Sequence, residues 1–272
     1  MTVALVGIGN LGSALIRSLL ASSYSMESVS LESVLLIERD NDKRAELSRQ
    51  HGCRVEGHFP DGMVLGAGDV LILTVKPQDA ETACIQVKSA ISQQAVVISC
   101  MAGVSCASLS RLLDNEKIVR AMPNLGAAFR ESASAVFIPD TLTAEEFRHV
   151  SAIINACGKV WHVAHEDLID VATAVAGSGP AYMCWLAEQL EMVAIESGIP
   201  AGDAHALVLQ TFKGAVSYLE GTAETFSELR RRVTSPNGTT AAALSVLEER
   251  AAAGHIRDAV RAALSRAREL NS

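Results

Sequence analysis

A chain that opens with a short apolar run and then reads Gly7-Ile8-Gly9-Asn10-Leu11-Gly12 has few folds open to it. The apolar run, residues 2–6, predicts a strand, and residues 11–21 carry apolar side chains at helical spacing. Glycines spaced G-x-G-x-x-G at such a junction allow a tight turn, let a pyrophosphate approach the backbone, and bring helix and strand close. The motif alone is weak; its place between a strand and a helix makes it specific for a dinucleotide. The first half goes on alternating, with strands expected at 34–37, 70–75, 95–99, 118–122, 133–138 and 159–163 and helices at 42–51, 79–90 and 144–157. Such alternation implies an α/β Rossmann-type doubly wound parallel sheet.

After about His165 the strand patterns stop. Helical spacing takes over at 181–197, 201–219, 227–233, 241–252 and 256–270, punctuated by Gly198-Ile199-Pro200 and Gly254. The chain therefore divides into a dinucleotide-binding domain over residues 1–163 and an all-α domain over 164–272. These helices carry more apolar surface than one thin layer can hide, so a homodimer built through this half is expected.

Composition narrows the function classes. A net charge of −8 argues against a nucleic-acid backbone as partner. The core must be Ala, Val, Leu and Ile, because only 4% of residues are aromatic. Six cysteines (Cys53, Cys84, Cys100, Cys106, Cys157, Cys184) show no C-x-x-C pair or His-linked spacing, so no metal is expected, and buried thiols in a reducing, cytoplasmic setting are. The uncharged run 171–187 is broken by Gly177, Gly179 and Pro180 and reads as buried core, with no membrane span. The start of the sequence leaves no room for a signal peptide. His51, His58, His149, His162, His165, His205 and His255 have no motif partner.

Two segments point to ligands. Glu38 ends the second strand, where a carboxylate accepts ribose hydroxyls and repels a 2′-phosphate; Arg39 beside it can pair with that phosphate. NADH and NADPH both stay open. Near the other end, Val233 to Leu244 reads VTSPNGTTAAAL, a turn opening directly into a helix. Pro236 fixes φ, Asn237 and Gly238 can take positive φ, and Thr239 and Thr240 fall where the helix begins. Free N–H groups there suit a carboxylate or phosphate, with a threonine hydroxyl alongside; an ordinary helix cap is the plainer reading.

Thr74-Val75-Lys76-Pro77-Gln78, Arg120-Ala121-Met122-Pro123-Asn124 and Ala176-Gly177-Ser178-Gly179-Pro180-Ala181-Tyr182 join the two motifs above. In this order and spacing, over essentially the whole chain, the set resembles the pyrroline-5-carboxylate reductase family. The resemblance implies reduction of the C=N bond of 1-pyrroline-5-carboxylate to L-proline with NAD(P)H, the last step of proline biosynthesis. It also implies a helical dimerisation and substrate domain, with decamers common. Thr240 matches the active-site threonine that hydrogen-bonds the substrate nitrogen. Backbone N–H groups of Gly238, Thr239 and Thr240 would hold the carboxylate, with Ser235 beside them, and Glu166 would line the substrate site. Toward the cofactor, Gly7, Ile8, Gly9, Asn10, Leu11 and Gly12 take the pyrophosphate. Val75, Lys76 and Pro77 border the nicotinamide half, Met101, Ala102 and Gly103 form the next strand end, and Asn124 lies near the carboxamide.

This chain departs from the family pattern in four places. Leu125-Gly126 stands where Thr-Pro is usual, which is expected to loosen a turn at the nicotinamide. Asn237 replaces a glycine. Asp61 replaces an asparagine at the adenosine end, making a 2′-phosphate less welcome. Arg230-Arg231-Arg232 precede the site, either adding positive field or merely suiting a helix end. A paralogous reductase of another cyclic imino acid, or a nucleotide-binding regulator without turnover, are the alternative readings.

Overall fold

The computed structural model describes residues 1–23 and 31–270. Eight strands form one sheet: β1 (Val3–Val6), β2 (Val34–Ile37), β3 (Arg54–Glu56), β4 (Val70–Leu73), β5 (Val96–Ser99), β6 (Ile118–Met122), β7 (Ser132–Phe137) and β8 (Gly158–His162). Their order is β3-β2-β1-β4-β5-β6-β7-β8. Helices α1 (Asn10–Ser23), α2 (Asn41–His51), α3 (Ala80–Val87), α4 (Cys106–Leu113) and α5 (Ala144–Asn155) accompany it.

Alternation along the strands builds two cores from one sheet. Val3, Leu5, Val34, Leu36, Val70 and Ile72 face one side, where Leu15, Ile16 and Leu19 of α1 and Val150 and Ile153 of α5 pack on them. Ala4, Val6, Leu35, Ile37, Leu71 and Leu73 face the other, against Ala80, Cys84 and Val87 of α3 and Leu109 of α4. Side chains alternate faces with period two, so a strand buried on both sides must read as a continuous apolar run.

The sheet is not parallel throughout, as the alternation implied. β6 and β7 are antiparallel, while β7 and β8 are parallel. The reason is length: the nine residues 123–131 between β6 and β7 hold only a 3₁₀ turn, Leu125–Phe129, and a parallel return needs a crossover of a dozen residues or more.

Two compact units are present, Met1–Ser178 with Ala263–Ser272, and Gly179–Ala262. The first also contains α6 (Leu168–Ala172) and a π-helical turn, Thr173–Gly177. The remaining helices are α7 (Gly179–Glu196), α8 (Ala201–Thr222), α9 (Phe226–Arg232), α10 (Thr239–Glu249) and α11 (Ala252–Glu269). Within Gly179–Ala262 only Ala204 and Val208 are buried among the described residues. Met183, Leu186, Leu190 and Val193, one stripe of α7, stand 46–62% exposed. The run 171–187 is therefore not the buried core its composition suggested: Ala174 is buried, but Met183, Trp185 and Leu186 face outward. Cys184 is exposed as well, against the expectation of buried thiols. Among the described residues this stripe stays about half exposed, although Met183 shares a cavity with Val208 and Phe212 of α8. No helix among the described residues is long and apolar enough to cross a membrane.

Candidate functional site

The glycine turn after β1 assigns a separate job to each glycine. Gly7 has φ +92°, and a Cβ there would sit 2.6 Å from Val75 Cγ1 and 2.7 Å from Val75 N. A Cβ on Gly12 would sit 2.6 Å from Gly7 O and 2.8 Å from Thr74 Oγ1. These two glycines let β1, β4 and α1 close on one another. Gly9 differs, since its Cβ would enter open space; the backbone there can be approached from outside. Gly9 N–H donates to Gly7 O (2.9 Å) and Ser13 N–H to Gly9 O (2.9 Å). The N–H groups of the first turn of α1, from Asn10 to Gly12, remain for an anion. Ile8 is wholly buried, so it offers backbone only, and Leu11 packs partly into the core. Thr74 locks the turn by donating from Oγ1 to Gly7 O (2.6 Å). This cradle fits a pyrophosphate.

From the turn a cavity of ≈ 300 Å³ runs to the end of β2. Of the residues expected at the cofactor, Gly7, Ile8, Gly9, Glu38, Arg39, Val75 and Lys76 line it; Thr74 and Gln78, the ends of the same motif, join them, and so do Lys43, Thr82 and Gln86, which sequence reasoning missed. Lys43 lies in the first turn of α2 and reads in sequence as a solvated helix charge. Its Nζ stands 2.9 Å from Glu38 Oε2, and the other carboxylate oxygen accepts from Asp40 N–H (3.2 Å). Arg44 braces the strand end, donating to the carbonyls of Glu38 (3.0 Å) and Arg39 (2.7 Å).

Other expected cofactor residues fall elsewhere. Asp61 sits in an exposed turn beside Gly62 (φ +77°) and does not line the cavity. Pro77 opens a short 3₁₀ turn, Pro77–Asp79, just past it. Met101 is buried in the core; Ala102 is half-buried; Gly103 (φ +66°) has Leu270 packed against it. The amide of Asn124 is already committed. Its Oδ1 accepts from Gly126 N–H (3.0 Å), and its Nδ2 donates to Ala176 O (3.1 Å) in the π-turn.

Glu166 is held in a cluster of opposite charge. Its Oε1 accepts from Cys106 N–H (2.7 Å), at the start of α4, and from Arg120 Nη1 (3.1 Å). Arg120 is 1% exposed in mid-β6, and its Nη2 reaches Asp170 Oδ1 at 3.4 Å. Burial and the carboxylate of Glu166 push the Cys106 thiol up to about 12, so it stays protonated.

In the helical unit, Ser235 to Gly238 make a turn closed by Gly238 N–H to Ser235 O (3.0 Å). Asn237 takes φ +58°, the left-handed value that follows proline in a type II turn. Gly238, expected to share that freedom, is extended (φ −82°, ψ 173°) and is the N-cap of α10, with no side chain to satisfy the helix. Its own N–H is spent, which leaves Thr239 and Thr240 N–H groups at the helix start. Arg232 pairs with Glu224, so of the three arginines the last serves the local fold.

Comparison with known proteins decides the family. Residues 166–270 match the family described as pyrroline-5-carboxylate reductase dimerisation, and residues 2–103 that described as NADP oxidoreductase, coenzyme F420-dependent. Over 271 residues the chain is 31% identical to pyrroline-5-carboxylate reductase 1 of Bacillus spizizenii, covering 99% of this chain and 89% of that one. This chain belongs to the pyrroline-5-carboxylate reductase family. The reductase of Synechocystis is 32% identical over 99% of both chains. The structure of a pyrroline-5-carboxylate reductase from Coxiella burnetii is similar with a TM-score of 0.85 at 30% identity, over 100% of this chain and 98% of that one.

Two departures from the pattern of pyrroline-5-carboxylate reductases now have a structural reading. Asn237 supplies the positive φ that glycine would. Leu125-Gly126 does not loosen its turn. Residues 125–129 form an ordered 3₁₀ turn capped by Asn124, and a Cβ on Gly126 would meet Glu131 O at 2.5 Å. Only a residue without a Cβ fits there, which removes the argument that a slack turn widens the range of imines.

Proposed function

We propose that the chain catalyses the family's reaction, reduction of 1-pyrroline-5-carboxylate to L-proline with NAD(P)H. What carries the reading is the built glycine turn, with Gly9 open for a pyrophosphate, at the head of a chain similar to these reductases from end to end. When bound, the reduced nicotinamide supplies a hydride to the imine carbon. The chain's own residues bind and orient. Asn10 to Gly12 hold the pyrophosphate and Val75 and Lys76 border the nicotinamide half; Asn124 acts indirectly by fixing the turn after β6. Thr239 and Thr240 N–H groups take the substrate carboxylate, and the Thr240 hydroxyl donates to the substrate nitrogen. A threonine hydroxyl is too weak an acid to give up its proton near neutral pH, so it orients while solvent supplies the proton. Glu166 acts through Arg120 and α4 as a positioning residue.

Residues 1–163 serve the cofactor and 164–272 serve dimerisation and substrate. The exposed stripe of α7 supports a dimer as the minimum assembly, with a decamer as the larger form. Six free thiols suit a reducing compartment, the cytoplasm.

The test mixes purified protein with 1-pyrroline-5-carboxylate and follows absorbance loss from NADPH and NADH in parallel, with proline measured as product. Rapid oxidation with stoichiometric proline is the expected outcome. Cofactor binding without oxidation of either would sink the reading in favour of a nucleotide-binding regulator.

A further inference from the structure

The adenosine end of the cavity holds a charge arrangement that the residue pair Glu38-Arg39 does not describe. An isolated carboxylate at the end of β2 would reject a 2′-phosphate. Here it is not isolated: Lys43 Nζ lies 2.9 Å from Glu38 Oε2. Arg44, a further cation on α2, donates to the carbonyls of Glu38 and Arg39, so its guanidinium is engaged by the strand end. Asp40 is likewise spent, capping α2 by accepting from Lys43 N–H at 2.9 Å. At the end of β2 the charged groups left to meet a ligand are Glu38, Arg39 and Lys43, with a net charge of +1; Lys76 and Asp79 line the cavity from beyond β4 and cancel each other.

The partners in the ion pair are not equally held. The Glu38 side chain is 14% exposed and Lys43 is 39% exposed. The carboxylate is fixed by Asp40 N–H and the strand end, whereas the lysine is a flexible arm reaching in from solvent. A partly exposed pair of this kind exchanges partners at little cost.

We infer that Lys43 is the specificity-determining residue for the phosphorylated cofactor: it stays on Glu38 when the ribose carries free hydroxyls, and moves with Arg39 onto a 2′-phosphate when one is present. The site is thereby open to both nicotinamide cofactors, and Lys43 rather than Glu38 sets the ratio. This rests on the reading of the glycine-turn cavity as the dinucleotide site. Removing the lysine leaves a bare carboxylate facing the phosphate, so discrimination turns toward the unphosphorylated cofactor. Removing the carboxylate charge frees the lysine and turns it the other way. Because the phosphate contacts lie at the surface, salt screens them, and preference for the phosphorylated ligand falls as ionic strength rises.

Calorimetric titration with two adenosine fragments, adenosine 2′,5′-bisphosphate and ADP-ribose, tests this without turnover. For Lys43→Met the bisphosphate should bind tenfold or more weaker, with ADP-ribose changed less than twofold and a flatter salt dependence for the bisphosphate. Glu38→Gln should bind the bisphosphate several-fold tighter. Equal changes for both fragments in Lys43→Met, or none, would overturn the role of Lys43 while the dinucleotide site stands. If the unaltered protein binds neither fragment, the dinucleotide reading fails and this inference with it.

Discussion

In the sheet unit every residue of β1, β2, β4 and β5 is buried; in the helical unit, Gly179–Ala262, only Ala204 and Val208 are, among the described residues. The sheet is covered by helices on both faces and completes two cores within one chain. The helical unit carries a comparable density of Leu, Val and Met but leaves most of them half or more exposed. Met183, Leu186, Leu190 and Val193 share one stripe spaced for a facing helix, and among the described residues they stay 46–62% exposed. One unit is thus closed energetically, and the other is half of an interface. A family named for dimerisation over residues 166–270 is what such a half requires.

The contrast breaks most visibly at α7. Leu190→Asp puts a charge into the stripe, and a charge without a partner in a closed interface costs several kcal/mol. Sedimentation should show the dimer replaced by monomer and turnover lost, while adenosine fragments still bind the sheet unit. A variant that keeps full dimer mass would place the interface elsewhere. The reverse experiment belongs to Arg120. Arg120→Met leaves Glu166 and Asp170 without their shared cation, a loss expected to cost about 3–5 kcal/mol. Urea unfolding should record that drop with the dimer mass unchanged. A cost under about 1 kcal/mol would show that the buried cluster is not what holds α6 against β6.

How much of this was readable beforehand follows the same division. Continuous apolar runs such as Val34–Ile37 and Val70–Leu73 fall on the observed strands, because burial on both faces leaves no other pattern. β3 escaped notice because Arg54–Glu56 is a three-residue edge strand with charges at both ends. α4 was missed, although Ser105 caps it by accepting from Ser108 N–H. At the site, the glycine turn announced itself locally, with its geometry contained in six consecutive residues. Lys43 and the Arg120 cluster did not, since the partners of Arg120 lie 46 and 50 residues away. The π-turn 173–177 was hidden by glycines that read as breaks, yet its carbonyl at Ala176 is what Asn124 is spent on.

A smaller change sharpens the functional side of the comparison. Thr240→Ala removes one hydroxyl from the start of α10 and nothing from the sheet unit. Loss of one oriented hydrogen-bond donor to the reacting group should lower kcat about 100-fold, leaving fragment affinity and dimer mass unaltered. Turnover like that of the unaltered chain would remove Thr240 from the mechanism. A fall in cofactor affinity instead would mean the helical unit shapes the nucleotide site.

The mildest expected effect lies in the closed unit, at the capping box of α5. Thr143 accepts from Glu146 N–H (3.3 Å), and Glu146 Oε2 accepts from Thr143 N–H (2.8 Å). Burial pushes the Glu146 carboxyl up, but donation by Lys117 Nζ (2.6 Å) and by Thr143 outweighs it and holds the group below its ordinary 4.5. A carboxyl depressed on folding contributes stability fully above about 4.5 and loses it as pH falls through the folded value. Thr143→Ala should cost about 1 kcal/mol at pH 7 through the lost cap. Because the hydroxyl also steadies the carboxylate, the gap between the two proteins in urea midpoint should narrow in acid. An equal gap at pH 7 and in acid would mean the hydroxyl caps the helix without helping the charge. In either case the dimer mass should not move, since α5 belongs to the unit that is already closed.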